Sequence, residues 1–305
     1  FLKKEGFVFW PRFNWQDAGV RRVLKLMLPG LFGVSVAQLS NVIDTWFASY
    51  LPEGSISWLY YSDRLTYFPL GILGFAIATV ILPHLSKQHA MADTRQFHVS
   101  LDWGIRQILL WGVPSALGLF WLAGPIINTL FLHGSFNERD ALMSSYSLMA
   151  YVVGLPGFML IKVLAAGFYA RENIKTPVRI AAIALAANVV LNMLLVGPLM
   201  HAGLALATAI SASVNAIMLL VMLKRHAYYQ PLAGWWAFLT RLTVASGVMT
   251  LWLWAMKGEW ADWIVWSRWE RLGHLAYLII VALVMYVGML WLLGIRKRDL
   301  YAELK

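Results

Sequence analysis

The sequence predicts an all-α, polytopic membrane protein with about eight transmembrane helices. Three observations carry that expectation. Of 305 residues, 60% are hydrophobic and only 13% are charged, well outside the soluble norm. Several runs of 18 or more mostly apolar residues recur along the chain, each long enough to cross a bilayer. The Lys and Arg residues gather at the ends of those runs, in alternate loops.

The spans fall at roughly 23–51, 57–85, 105–132, 141–169, 178–199, 203–223, 236–256 and 273–294. Residues 1–22 form a basic lead-in with Lys3, Lys4, Arg12, Arg21 and Arg22. The first residue is Phe, and the expectation is a chain whose upstream part is missing. Nineteen Lys and Arg fall on the side of the two termini and four on the other, so both ends are expected in the cytoplasm. That segregation accounts for the net charge of +10 better than nucleic-acid binding does. The absence of cysteine excludes disulfides and thiolate metal sites. Residues 89–103 are expected as an interfacial helix. The four-tryptophan segment 257–272 is expected on the outer headgroup layer.

The second span opens on Tyr60-Tyr61-Ser62-Asp63-Arg64-Leu65-Thr66-Tyr67-Phe68-Pro69. Arg64 in hydrocarbon costs several kcal/mol, which marks it as functional unless it snorkels to the headgroups. The flanking aromatics suit a cavity wall. Lys162, also within a span, either snorkels or joins Arg64 in a cationic cavity. Such a cavity would hold an anion such as a pyrophosphate.

The first span carries a polar stripe, Ser35, Gln38, Asn41, Asp44 and Thr45, at i, i+3 and i+4 spacing, expected to face inward. Asn188 and Asn192 lie one turn apart on the fifth span, and Thr208, Ser211 and Asn215 share a face of the sixth. Asp44, Asn188, Asn192 and Thr208 offer an oxygen set for Na⁺, or Asp44 alone a proton site. Ordinary interhelical hydrogen bonding is the competing reading. No P-loop, dinucleotide fingerprint, nucleophile elbow or paired catalytic carboxylates occur, so a transporter is favoured over an enzyme. No organic cofactor is expected.

The decapeptide around Arg64 resembles a stretch of the MurJ (MviN) family of lipid II flippases. So do Leu82-Pro83-His84-Leu85-Ser86-Lys87, Lys162–Arg171 with Ile174-Lys175-Thr176-Pro177-Val178, and Gly197-Pro198-Leu199 with His201-Ala202-Gly203-Leu204. The resemblance implies helices seven to fourteen of a fourteen-helix exporter of the multidrug/oligosaccharidyl-lipid/polysaccharide (MOP) superfamily. Residues 23–226 would form the second six-helix lobe, residues 227–295 a further helix pair, and residues 296–305 a cytoplasmic tail.

It also implies a bacterial inner-membrane location and transport of lipid II, an undecaprenyl-pyrophosphate-linked disaccharide pentapeptide, by alternating access. Arg64, Asp63 and Lys162 would face the headgroup. Asp44 matches a position where the family varies between Asp and Asn, which suits Na⁺ or H⁺ coupling. The last helix pair would form a groove for the lipid tail, with Ala245 and Gly288 facing it. Tyr67 stands where some relatives are acidic, and Ala166 where Pro is common. Membrane lipids and the first lobe of the same protein are the expected partners, and these residues alone are expected to be inactive. Other MOP exporters, a polyprenyl-lipid enzyme and a non-transporting scaffold are the alternatives.

Overall fold

A computed structural model describes Asp17, residues 19–21 and residues 38–295. Most of the lead-in, the start of the first span with Ser35, and the basic tail lie outside the described residues. Every regular element among the described residues is helical.

After a helical stretch at 19–21, α1 runs over 38–48 and is the end of the first predicted span. The second span is α2 (Ser55–Pro69), a π-helical turn (Leu70–Gly74) and α3 (Phe75–Ala90), 36 residues in all. Pro69 lacks an amide hydrogen, and the ladder widens to i→i+5 spacing immediately after it.

The third span is α4 (Thr94–Trp121) and α5 (Ala123–Phe131), which meet at a 69° bend. Its start corrects the expectation of a separate interfacial helix at 89–103. The Asp93 side chain accepts the Gln96 amide at 3.0 Å and caps α4 at once. Phe97 and Leu101 are fully buried there, so helix and packing continue without a break into the span.

The fourth span is α6 (Glu138–Val153) and α7 (Leu155–Tyr169), with a reciprocal Asn137–Asp140 capping box at its start. The fifth and sixth spans form one element, α8 (Lys175–Arg225). As a straight rod its 51 residues would reach about 76 Å, more than twice the hydrocarbon thickness. Met200 breaks it with φ 52°, ψ −131°, and the two arms fold back on each other. At Gly203 a Cβ would stand 2.2 Å from the Leu195 carbonyl oxygen, so only glycine permits that closeness.

The last pair is α9 (Trp235–Met256) and α11 (Arg268–Leu292), joined through the short α10 (Trp260–Val265). With α8 counted as two passes, the described residues supply seven membrane-length stretches and the end of an eighth. Within the four-tryptophan segment, Trp263 is buried and donates to the Lys257 carbonyl at 2.7 Å, while Trp269 is 81% exposed.

Two apolar clusters organise the packing. One joins α3, α4, α7 and α8 through Ile81, Phe97, Ile108, Met159 and Leu223. The other seats α9 and α11 on α4 and α5 through Leu110, Ile126, Leu253 and Leu278. A polar anchor beside the first cluster ties the start of α9 to α4. Asp102 on α4 accepts from the Tyr229 hydroxyl at 2.5 Å and the Trp235 indole at 2.8 Å. Its other oxygen pairs with Arg106 Nε at 2.7 Å.

Candidate functional site

Ser62 fixes the rotation of α2. Its hydroxyl donates to the Ser144 carbonyl of α6 at 2.6 Å and to its own helix at the Trp58 carbonyl. The Trp58 indole donates to Asp140 at 2.8 Å. With Ser62 held against α6, Arg64 lies about 160° away around the helix. Arg64 is accordingly exposed, with its guanidinium 4.8 Å from the Tyr60 ring centroid. Asp63 is half-buried and does not pair with it; the single ion pair among the described residues is Arg106–Asp102. Tyr60, Tyr67 and Phe68 are also exposed, so Arg64 sits on an open aromatic face.

Lys162 is not brought to Arg64. It is half-buried on α7, with Nζ 4.5 Å from the Phe75 centroid at the start of α3. Eleven residues separate Phe75 from Arg64, about 16 Å along the helix axis. Of the two placements open to Lys162, a shared cluster with Arg64 is not formed; the two cations stand apart, one on α2 and one on α7 beside the start of α3.

The second polar group converges as expected. Asp44 is buried, and Asn192 Nδ2 donates to its Oδ1 at 2.6 Å while the Thr208 hydroxyl donates to its Oδ2 at 2.8 Å. Asn188 donates to Thr208 at 3.2 Å, and Asn192 also donates to Asn188 Oδ1 at 3.3 Å. Ser40 adds a hydroxyl, 3.3 Å from Asn188 Oδ1, that the sequence reading did not include. Its signal was one turn of spacing from Asp44. The Asn192 side-chain oxygen is buried with no hydrogen-bond partner. A carboxylate, two amide oxygens and two hydroxyls are hard-cation donors, with the Asn192 amide turning its nitrogen rather than its orphaned oxygen toward Asp44 and Asn188.

The rest of the α1 stripe does not pack against these helices. Gln38, Asn41 and Thr45 are exposed, while Asp44 and Ala48 make the buried face. The i+3 and i+4 steps spread the stripe over more than one side of the helix, and the packed side is the one that meets α6 and α8.

Ala245 is also corrected. It has no exposed surface and is packed among Leu242, Met249, Leu278 and Ala282, in the seam between α9 and α11. A small residue there lets two helices approach, which leaves no groove at that position. Gly288 is half-buried, with open space where a Cβ would stand.

These helices share the all-helical fold of solved multi-pass transporters. A solved structure titled as the outward-facing conformation of a multidrug resistance MATE family transporter of the MOP superfamily shares this fold. It aligns with 91% of this chain and 65% of its own at TM-score 0.60 and 15% identity. The particular family follows from closer matches, and the chain belongs to the MurJ family. The profile of lipid II flippase MurJ matches residues 1–272.

A probable lipid II flippase MurJ of Vibrio cholerae is 45% identical over 99% of this chain and 58% of its own length. The lipid II flippase MurJ of Burkholderia cenocepacia is 41% identical over 91% of this chain and 54% of its own. A solved lipid II flippase MurJ in an inward closed conformation aligns at TM-score 0.74 and 25% identity, over 91% of this chain and 55% of that one. The chain thus spans little more than half the length of these relatives.

Proposed function

We propose that these 305 residues supply the second half of a lipid II flippase, a transporter of the bacterial inner membrane. The observation that carries the reading is Arg64. It is a cation without an ion-pair partner among the described residues, held outward by the Ser62 contact on an open aromatic face of an apolar helix. A pyrophosphate headgroup suits a forked guanidinium, and a low-dielectric wall strengthens the attraction. Family membership supports lipid II as the substrate.

In this reading Arg64 and Asp63 face the headgroup across a cavity completed by the first lobe. Lys162 lies further along the same path. Residues 23–226 act as one lobe, and residues 227–295 as a pair that holds the lipid tail near Gly288. The Asp44 set is the seat of a coupling cation, Na⁺ or H⁺. Asn188, Asn192 and Thr208 would hold Na⁺ with Asp44, and the ion would supply the neutralisation of a buried carboxylate.

The test uses a chimera in which residues 1–305 replace the matching part of the Vibrio cholerae relative. It is expressed in cells depleted of their own flippase, and lipid II accessible at the outer leaflet is measured. The chimera is expected to restore accessibility, and Arg64→Ala to abolish it at equal membrane level. Residues 1–305 expressed alone are expected to insert without restoring it. Restoration by Arg64→Ala would remove Arg64 from the mechanism; failure of a well-inserted chimera would remove the substrate assignment.

A further inference from the structure

Where α7 ends, the start of α4 and the turn after α8 close around Arg171. Its guanidinium lies between two rings, 4.4 Å from the Phe97 centroid and 4.3 Å from the Tyr228 centroid. The cage is rigid. Phe97 is fully buried, the Phe168 ring stands 6.0 Å from Tyr228, and the Arg171 amide donates to the Phe168 carbonyl at 3.0 Å.

Stacking of this kind covers the two faces of a planar guanidinium and leaves its edge for hydrogen bonding. That edge has no partner among the described residues. Arg171 Nε is buried and unsatisfied, and no carboxylate pairs with the group, including the adjacent, exposed Glu172. His98, next to Phe97 in sequence, donates to the Ala227 backbone, and its Nε2 is buried without a partner among the described residues, so it meets a phosphate oxygen when that nitrogen is protonated. Burial pulls the Arg171 pKa down from its ordinary value, a penalty that a bound anion would relieve. Lys175, Arg179, Lys224 and Arg95 are exposed on the elements that meet here, so the approach is basic.

We propose that Arg171 and His98 form a binding site for a phosphate group at the basic end of the bundle, separate from the Arg64 face. The cage orients the fork in advance, so little side-chain freedom is lost on binding. The group comes either from the headgroup of an anionic phospholipid or from soluble phosphate, and the two sources are separable by experiment. The inference does not depend on the transport reading.

The chain is purified in neutral detergent and titrated with dihexanoyl phosphatidylglycerol, with dihexanoylglycerol as the phosphate-free control, and binding is read by native mass spectrometry. Arg171→Gln is expected to weaken phosphatidylglycerol binding about tenfold, the scale of a lost charge-assisted pair. Arg179→Gln removes the same charge from an exposed site and is expected to change it less than about twofold. Competition by inorganic phosphate would identify a site for the bare phosphate. Arg171-dependent lipid binding without such competition would assign the site to the headgroup.

Equal losses in the two variants would overturn the site as general electrostatics, as would wild-type protein that binds neither probe. Arg171→Lys keeps a cation between the rings and provides the reading if Arg171→Gln does not fold. A several-fold loss supports the forked contact, and undiminished affinity overturns it.

Discussion

Asp44 is the residue on which two readings of the same geometry divide. Its oxygens accept from Asn192 and Thr208, which any buried carboxylate requires. Interhelical glue and a cation seat therefore share these contacts. They differ in what happens when the charge is removed and the shape kept. Asp44→Asn is expected to leave the protein folded, because an amide still bonds with Thr208. It is expected to abolish any Na⁺ or pH response of transport in the chimera. An unchanged response would make Asp44 structural. Tyr229 makes a complementary case outside the spans. Burial first, and then the bond to Asp102, push its phenol well above the ordinary tyrosine range. The folded chain thus keeps this proton where the unfolded chain has lost it. The stabilising contribution is full below about pH 10 and declines above it. Tyr229→Phe is expected to remove that alkaline decline and to cost about 1–3 kcal/mol at neutral pH by leaving Asp102 short of a donor. Thermal unfolding across pH 7–11 measures both.

At the scale of elements, the spans were legible because an apolar run of bilayer length has few other uses. The convergence of Asp44, Asn188, Asn192 and Thr208 was legible for a related reason: polar groups in hydrocarbon must find one another. What the sequence did not disclose was rotation and long-range pairing. Gln38, Asn41 and Thr45 sit on the same short helix as Asp44, and small rotational offsets put them outside the packed face. The Asp102–Tyr229 anchor joins residues 127 apart, and neither partner lies in a conspicuous motif. Ala245 and Gly288 are both small residues on the last pair, and only packing separates a seam from an open position. Close approach of elements is where a strong prediction can be made. A Cβ on Gly154 would fall 2.5 Å from the Ala209 Cα, where α6 and α7 meet α8. Gly154→Ala and Gly203→Ala are each expected to lose about 1–3 kcal/mol through overpacking against backbone. Gly247→Ala has open space and is expected to gain slightly from better helix propensity. Unfolding in detergent ranks the three, and equal stabilities would show that the helices separate easily at these contacts.

At the scale of the whole molecule, the open side and the charge asymmetry raise one question, which end faces the cytoplasm. The exposed surfaces that carry Gln38, Asn41 and Thr45 on α1 and Arg64 on α2 combine polar groups with large aromatics, which are unfavourable to present to lipid tails. In the proposed flippase the other lobe covers it, and both lobes must share one orientation across the membrane. The loop charges give that orientation. Arg171, Lys175 and Arg179 cluster where α7 turns into α8, whereas the connection into α6 has Arg139 alone, in the first turn of that helix. The chain contains no cysteine, so single introduced thiols report position without background. Glu172→Cys and Gly258→Cys occupy turns at opposite ends of the spans, at an exposed residue and at the four-tryptophan segment. In a chimera whose other part has been made cysteine-free, in intact spheroplasts, a membrane-impermeant maleimide is expected to label Gly258→Cys and to reach Glu172→Cys only after permeabilisation. That result would put the Arg171 cage at the inner headgroup layer and the α10 tryptophans at the outer one. The reverse pattern would turn the molecule over. The cationic end would then lie outside, and the charge rule would fail for a chain whose asymmetry is nineteen to four.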